Sequence, residues 1–408
     1  MTEKLSSIDF FIKRYFKYPL FRLFCLAGRI LCPITERDIP KNKRISRILV
    51  IQIGGIGDVI RLFPCLLLLR REFPDASITT LTQYGDKILR FLPDSSEIIS
   101  ENIILEPSKR DKTMMSKLHL ALRLRKSSFD LVFSPNYGLG MIEFSIISFL
   151  TGAPYRIGYN YRGSGFLYSS KMDIKEDTPL LLQHLELLSK TGVRNNSIDG
   201  KIWFKVPEED LSFAQSFLQH HNVSKNDLLL AIAPITIADR DYKSPMHHRS
   251  LVDYRAWPED RYMKLINEIF RLYKVKIIVL GDSLSSGRLS DYLIHSKNPN
   301  VINAVGKTNI GQAAALIETS NLFISNDSGL LHVAIALQKP SIGIFGSTSP
   351  RQVIHPVDYC IPIWKELECS PCFIHQPIPD FNCASDIRCL RLITVEEVLE
   401  AIKSLLRS

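Results

Sequence analysis

No stretch of this 408-residue sequence approaches the ~18 uninterrupted apolar residues that a membrane-crossing helix needs. The longest candidates, such as Leu62-Phe63-Pro64-Cys65-Leu66-Leu67-Leu68-Leu69, have the length of buried core segments. Low-complexity tracts and internal sequence repeats are missing. A composition of 45% hydrophobic and 23% charged residues excludes disorder and collagen-like structure. Eight cysteines are too few for a disulfide scaffold, and Cys25, Cys32, Cys65 and Cys360 read as small buried apolar side chains. A secretory leader is not apparent either: Arg22 and Arg29 interrupt the N-terminal apolar stretch, and no small-x-small cleavage site follows. The expected location is cytoplasmic.

Charge is present in excess of one sign, but only in one place. The net charge is +9, and residues 1–47 hold eleven Lys and Arg against four acids, so this arm supplies +7 of it. Nucleic-acid-binding proteins usually carry a basic stripe on the folded domain. Here the base belongs to an appendage, and nucleic acid is not an expected partner. Within the arm, Leu20, Leu23, Phe24, Ala27 and Leu31 recur at helical spacing, with Arg22 and Arg29 off that face. Two readings fit this pattern: a helix lying on an anionic membrane surface, or one packing its apolar stripe on the protein's own body.

At about 150 residues per domain, the length predicts two domains or three. Ile48–Ile53 reads as a buried strand, followed by a glycine-rich turn, a helix over 59–73 and a second strand over 77–81. This is a βαβ unit. Strand-like runs recur at 130–133 and 155–159, and a helix at 180–188 closes the first half. The second half repeats the alternation, with strands at 228–233, 276–281, 322–325 and 341–346. Helices are expected over 258–273, 310–319, 329–337 and 395–406. Alternation in two blocks predicts two parallel-sheet α/β domains. The expected division is a basic amphipathic arm (1–45), an N-terminal Rossmann-like domain (46–200) and a C-terminal one (201–408), with the boundary in the polar, turn-rich stretch 192–205.

Two loops carry chemistry. Gly54-Gly55-Ile56-Gly57-Asp58 follows a strand and precedes a helix, so backbone N–H groups can approach a ligand closely. It is neither a clean G-x-G-x-x-G nor a Walker loop. Asp58 falls where a helix N-cap falls; it is either a capping aspartate or a carboxylate placed at the C-terminal edge of a parallel sheet, where such folds bind ligands. The second loop is Asn326-Asp327-Ser328-Gly329-Leu330-Leu331-His332. Unpaired N–H groups at the helix start, with Ser328 and Gly329, make a phosphate seat. Asp327 can accept bonds from sugar hydroxyls, and His332 lies one turn in, either reaching the same ligand or buried in the core.

Together with Ile48-Leu49-Val50-Ile51, Pro64, the block Gly152-Ala153-Pro154-Tyr155-Arg156-Ile157-Gly158 and Pro340–Thr348, these loops make the sequence resemble glycosyltransferase family 9, the ADP-heptose:lipopolysaccharide heptosyltransferases, from about residue 46 onward. The resemblance implies a GT-B fold, with two facing Rossmann-like domains and a central cleft. The acceptor would bind the N-terminal domain and the nucleotide-sugar the C-terminal one. It implies an inverting transfer of heptose from ADP-heptose to a lipopolysaccharide core, with Asp58 as general base and Gly54, Gly55 and Gly57 on the acceptor side. Thr236, Arg255, Asp327, Ser328, Gly329, Leu330 and His332 would hold the donor. No cofactor is implied for catalysis. With the basic arm, the implied location is peripheral, at the inner face of the inner membrane. Alternatives are transfer to a protein, as in the autotransporter branch, and a catalytically silent sugar-nucleotide-binding protein.

The sequence departs from the family in three places. Arg255, before Trp257-Pro258, stands where lysine is commoner. A polar loop containing Lys243, His247, His248 and Arg249 lengthens the link from Thr236, either as solvated surface or as an acceptor-contacting lid. After strand 276–281 only Asp282 is acidic where family members often have a glutamate for the donor ribose. Finally, Cys369, Cys372, Cys383 and Cys389 have a Cys-x2-Cys-x10-Cys-x5-Cys spacing that suits a tetrahedral structural site for zinc or iron. Four reduced buried thiols are the alternative.

Overall fold

The computed structural model describes residues 18–31, 34–40, 43–105, 114–137, 141–161, 163–193, 202–234, 255–281, 289, 298–372, 383 and 386–407. The chain divides into two compact units. One runs to Asp86 and resumes from Asp94 to Lys201; the other holds Lys87–Pro93 and the chain from Ile202 to Cys372 and from Cys383 onward. The short stretch Lys87–Pro93 therefore belongs with the second unit although it is threaded through the first half of the sequence. Phe91 stacks on Phe204 at 4.6 Å between ring centroids, and the Lys205 N–H donates to the Phe91 carbonyl at 2.8 Å.

The first unit is built on a parallel sheet of β1 (Arg47–Gln52), β2 (Ser77–Thr82), β3 (Glu101–Ile104), β4 (Leu131–Ser134), β5 (Tyr155–Asn160) and β6 (Ser170–Asp173). Their order is β3-β2-β1-β4-β5-β6. Ile48 pairs with Ile78 on one side and Leu131 on the other, so β1 is central and its Ile48–Ile51 run is wholly buried. α1 (Tyr18–Leu31) precedes the sheet, and α2 (Ile56–Glu72), α3 (Met114–Lys126), α4 (Met141–Leu150) and α5 (Leu180–Ser189) follow in turn. Part of the 152–158 block is structural: Arg156 donates from Nε to the Leu167 carbonyl at 3.0 Å and pins the loop that leads into β6.

The second unit repeats the plan with β7 (Leu228–Ala233), β8 (Val275–Val279), β9 (Val301–Asn303), β10 (Leu322–Asn326), β11 (Ser341–Phe345) and β12 (Cys360–Trp364), ordered β12-β11-β10-β7-β8-β9. Counted from its own first strand, this is the same 3-2-1-4-5-6 order as the first sheet, the doubly wound dinucleotide-fold arrangement. Its helices are α6 (Glu208–His220), α7 (Glu259–Leu272), α8 (Ile310–Thr319), α9 (Gly329–Ala336) and α10 (Val395–Arg407). Leu230, Ile232, Ile277, Ile324 and Ile344 from the strands pack with Trp257, Tyr262, Leu265 and Ile402 in one core. Among the described residues no helix is long and apolar enough to cross a membrane.

The expected strands and helices are found to within three residues at either end. β3, β6, β9 and β12 were not expected, and all four are sheet edges. Edge strands need less apolar sequence, and β12 tolerates Pro362 for the same reason. Of the two readings of the arm helix, α1 departs from packing of its whole stripe on the protein's own body, because Leu23, Phe24 and Leu31 remain largely exposed.

In the first unit, α5 brings His184 against β5, where its Nδ1 lies 2.7 Å from the Tyr159 hydroxyl. Nε2 is buried with no hydrogen-bond partner among the described residues. Burial, with the nearby Arg61 charge, pulls the imidazole from 6.5 to about 3. The native state thus refuses a proton that the unfolded chain accepts below pH 6.5, so this stabilisation is complete above that pH and is lost as pH falls toward 3. Urea-unfolding series should show His184→Gln with a flatter pH dependence than wild type between about pH 6 and about pH 4, by roughly 1 kcal/mol per pH unit.

Candidate active site

In each sheet the strand order reverses between the first and fourth strands, and ligands of such folds bind outside the carboxyl ends of strands at that point. In the first unit this places the loop after β1 beside the loop after β4. Asn136 joins them: its Nδ2 donates to the Ile51 carbonyl at 2.6 Å and to Ser134 Oγ at 2.9 Å, while its Oδ1 accepts from the Ile53 N–H at 2.7 Å.

The glycine loop then turns directly into α2, whose N-cap is Gly55, not Asp58. Asp58 is the third helical residue, and its Oδ2 reaches back to accept from the Gly55 N–H at 2.6 Å. A methyl group on Gly54 would stand 2.2 Å from that oxygen, so only glycine fits beneath the carboxylate. The other oxygen, Oδ1, accepts from the Arg61 guanidinium one turn on and from the Tyr137 hydroxyl, and Arg61 also donates to the Tyr137 oxygen at 2.6 Å. Burial opposes the Arg61 charge, but its partners Tyr137 and Asp58 outweigh it and raise the guanidinium's hold on its proton. Burial, reinforced by the Asp58 charge, raises the Tyr137 hydroxyl well above its ordinary value. The Asp58 side chain keeps 18% of its surface exposed, so the carboxylate is fixed yet reachable. Arg61 and Tyr137 were not among the expected site residues. Arg61 could have been found from its i+3 spacing to Asp58; Tyr137 arrives by strand pairing and has no local signal.

The second unit uses the same position. β10 ends at Asn326, whose Oδ1 accepts from the Trp257 N–H and the Tyr262 hydroxyl, each at 3.0 Å, and whose Nδ2 donates to the Pro234 carbonyl at 2.7 Å. This ties the end of β7 and the Trp-Pro segment following Arg255 to the edge where Asp327 begins. Asp327 Oδ2 accepts from the Thr348 hydroxyl at 2.7 Å, a partner that was not expected. Ser328 caps α9, accepting from the Leu331 N–H at 3.4 Å, and its Oγ lies 2.7 Å from Ser325 Oγ. Ser328, Gly329, Leu330 and His332 are half-buried around the helix start. The first N–H groups of α9 have no partner within the helix and meet its positive dipole end, an arrangement suited to a phosphate. Ser347, two residues beyond β11, adds a buried hydroxyl with no hydrogen-bond partner among the described residues. Thr236, Asp282 and the loop with Lys243, His247, His248 and Arg249 lie outside the described residues.

Both units are thus doubly wound, with a carboxylate beside the switch point of one and a capped helix start beside that of the other. The model of glycosyltransferase family 9 (heptosyltransferase) matches residues 117–379, and the chain belongs to that family. It is 24% identical over 323 residues to lipopolysaccharide heptosyltransferase 2 of Escherichia coli K12, covering 74% of this chain and 84% of that protein. Among solved structures, a glycosyl transferase family 9 protein from Veillonella parvula superposes with a TM-score of 0.68 at 21% identity, covering 90% of this chain and 99% of that one. The E. coli ADP-heptose lps heptosyltransferase II superposes at 0.63 and 18%, covering 89% and 99%. These two likenesses show the shared fold.

The four clustered cysteines span a range of environments: Cys369 is exposed, Cys372 and Cys383 are half-buried and Cys389 is buried. They lie close enough for their charges to act on one another; burial first, and then the neighbouring thiols, push Cys372 up to about 11. Among the described residues no group of three or more His, Cys, Asp or Glu side chains is placed to hold a metal ion. Exposure and thiolate character set thiol reactivity. Maleimide labelling of the native protein with peptide mapping should modify Cys369 first and leave the buried Cys65 and Cys360 untouched until denaturant is added; prompt native labelling of Cys65 would contradict the described core.

Proposed function

We propose that the chain transfers heptose from ADP-heptose to a lipopolysaccharide core acceptor with inversion at the anomeric carbon, on the cytoplasmic side of the inner membrane. The reading is carried by Asp58, a carboxylate that among the described residues accepts from the Gly55 N–H, Arg61 and Tyr137 and keeps part of its surface exposed, in a family whose relatives are named lipopolysaccharide heptosyltransferases. The acceptor hydroxyl donates to Asp58. As its oxygen attacks the anomeric carbon, the bond from that carbon to the diphosphate oxygen breaks, the proton passes to the carboxylate and the ADP leaves with the electron pair. Arg61 offsets the carboxylate charge, and Tyr137 keeps Oδ1 aimed until the substrate is seated. Gly54, Gly55 and Gly57 let the acceptor approach the backbone.

The leaving diphosphate gains negative charge, which the N–H groups of Ser328, Gly329 and Leu330 and the dipole of α9 are set to receive. Arg255 supplies a cation beside them and Thr236 a hydroxyl, while Asp327, oriented by Thr348, accepts from the donor's sugar hydroxyls and His332 closes that side. Arg can clamp a phosphate with two parallel bonds where Lys offers a point charge.

The test is Asp58→Asn. It retains the shape but not the base, and should lower kcat by about 10²- to 10⁴-fold while leaving the donor dissociation constant within about twofold. Arg61 loses its buried counter-charge in this variant, so the melting temperature is expected to drop as well, and donor affinity of the folded protein is the control. Unchanged turnover would remove Asp58 as base. Gly54→Ala, which drives a methyl into the carboxylate, should reproduce the loss in kcat. In a melting panel of nucleotide-sugars, ADP-sugars and not UDP- or GDP-sugars should raise the transition, by up to about 2.7 kcal/mol at a hundredfold excess over Kd.

A further inference from the structure

α1 turns its large apolar side chains away from the protein. Among the described side chains, its contact with the first unit is made on one side: Phe24, though 54% exposed, meets Phe166 edge-on with centroids 6.3 Å apart, Cys25 is buried, and a methyl group on Gly28 would come within 2.5 Å of the Phe166 ring. At about 100° per residue these three positions occupy one arc of the helix. Leu23, Leu26 and Ile30 occupy the opposite arc and are open to solvent, at 60%, 55% and 70% exposed, and Leu31 at the end of the helix is 79% exposed. A helix stabilised by its own domain would show the reverse, with leucines inward and small residues outward. Contiguous exposed apolar faces of this kind mark interaction surfaces.

The charge around the face selects the partner. Arg29, exposed, borders the apolar arc, and residues 1–47 carry eleven Lys and Arg against four acids. Pairing two copies through this face would bring two strongly basic arms together, whereas an anionic lipid surface compensates them. We infer that α1 is an interfacial membrane helix: Leu23, Leu26 and Ile30 enter the headgroup–acyl boundary of an anionic bilayer, and the arm's Lys and Arg contact its phosphates. The Phe24–Phe166 contact and the close fit at Gly28 couple that helix to the unit that carries Asp58. The inference goes beyond the transfer reaction and stands on the exposed face and its charge alone.

Flotation of the full chain with phosphatidylcholine vesicles, with and without phosphatidylglycerol, tests it. Wild type should float with the anionic vesicles, less so as salt is raised, and the L26E/I30E double variant should bind at least about tenfold more weakly. Both substitutions are at exposed positions, so the melting temperature should be unchanged and turnover on a water-soluble, delipidated acceptor retained. Failure of wild type to float, or equal flotation of the variant, would overturn the inference. So would a dimer on gel filtration that the double variant abolishes in the absence of vesicle binding. Loss of wild-type turnover on the soluble acceptor with flotation intact would instead count against the transfer reaction.

Discussion

A buried asparagine amide at the centre of each sheet is the interaction on which both half-sites depend. Asn136 follows the fourth strand of the first unit and binds the backbone on either side of the β1 end; Asn326 closes the fourth strand of the second and binds the carbonyl just beyond β7. The end of a parallel strand leaves peptide groups unpaired, and burying them without partners would cost about 1–3 kcal/mol each. One amide, with a donor and an acceptor on the same planar group, satisfies both polarities where the two neighbouring strands diverge. The same solution appears at the same topological position in two domains with no evident sequence repeat. In both cases it fixes the loop from which the ligand-facing side chains project.

The two half-sites differ in how they handle charge. The first concentrates it: a carboxylate, a guanidinium and a phenol share one small cluster, and the guanidinium is buried within it. That cluster is suited to moving a proton, because small displacements of any member change the field at the others. The second disperses it over a helix start and the hydroxyls of Ser325, Ser328, Ser347 and Thr348, together with Asp327. Neutral donors preorganised in this way receive developing negative charge without first having to be desolvated.

What could be read from the sequence follows from how local each signal is. The central strands are continuous apolar runs because both faces are covered, so β1, β7, β10 and β11 announce themselves. The edge strands β3, β6 and β9 are short or polar, and β12 is interrupted by Pro362, so they do not. Asp58, Asp327 and Ser328 sit inside contiguous strand-loop-helix motifs and were legible as candidates, although the helix begins three residues earlier than Asp58 suggested. Tyr137 and Thr348 reach those carboxylates across 79 and 21 residues of chain, a pairing that only the parallel register creates. The cysteine spacing was equally plain, but spacing does not specify side-chain direction, and among the described residues no three such side chains are placed to hold a metal ion. The helical period of α1 was correct; which side faced the protein was decided by Gly28 and Cys25, whose small size permits the close approach.

The threading of Lys87–Pro93 has a bearing on how the chain can be made and divided. A segment synthesised in the middle of the first domain finds its stacking partner, Phe204, only after more than a hundred further residues have emerged. The C-terminal half of the polypeptide is therefore not self-sufficient: a cut between residues 201 and 202 would strand the Phe91 ring on the other fragment, and the second domain would be left with a bare patch where that ring belongs.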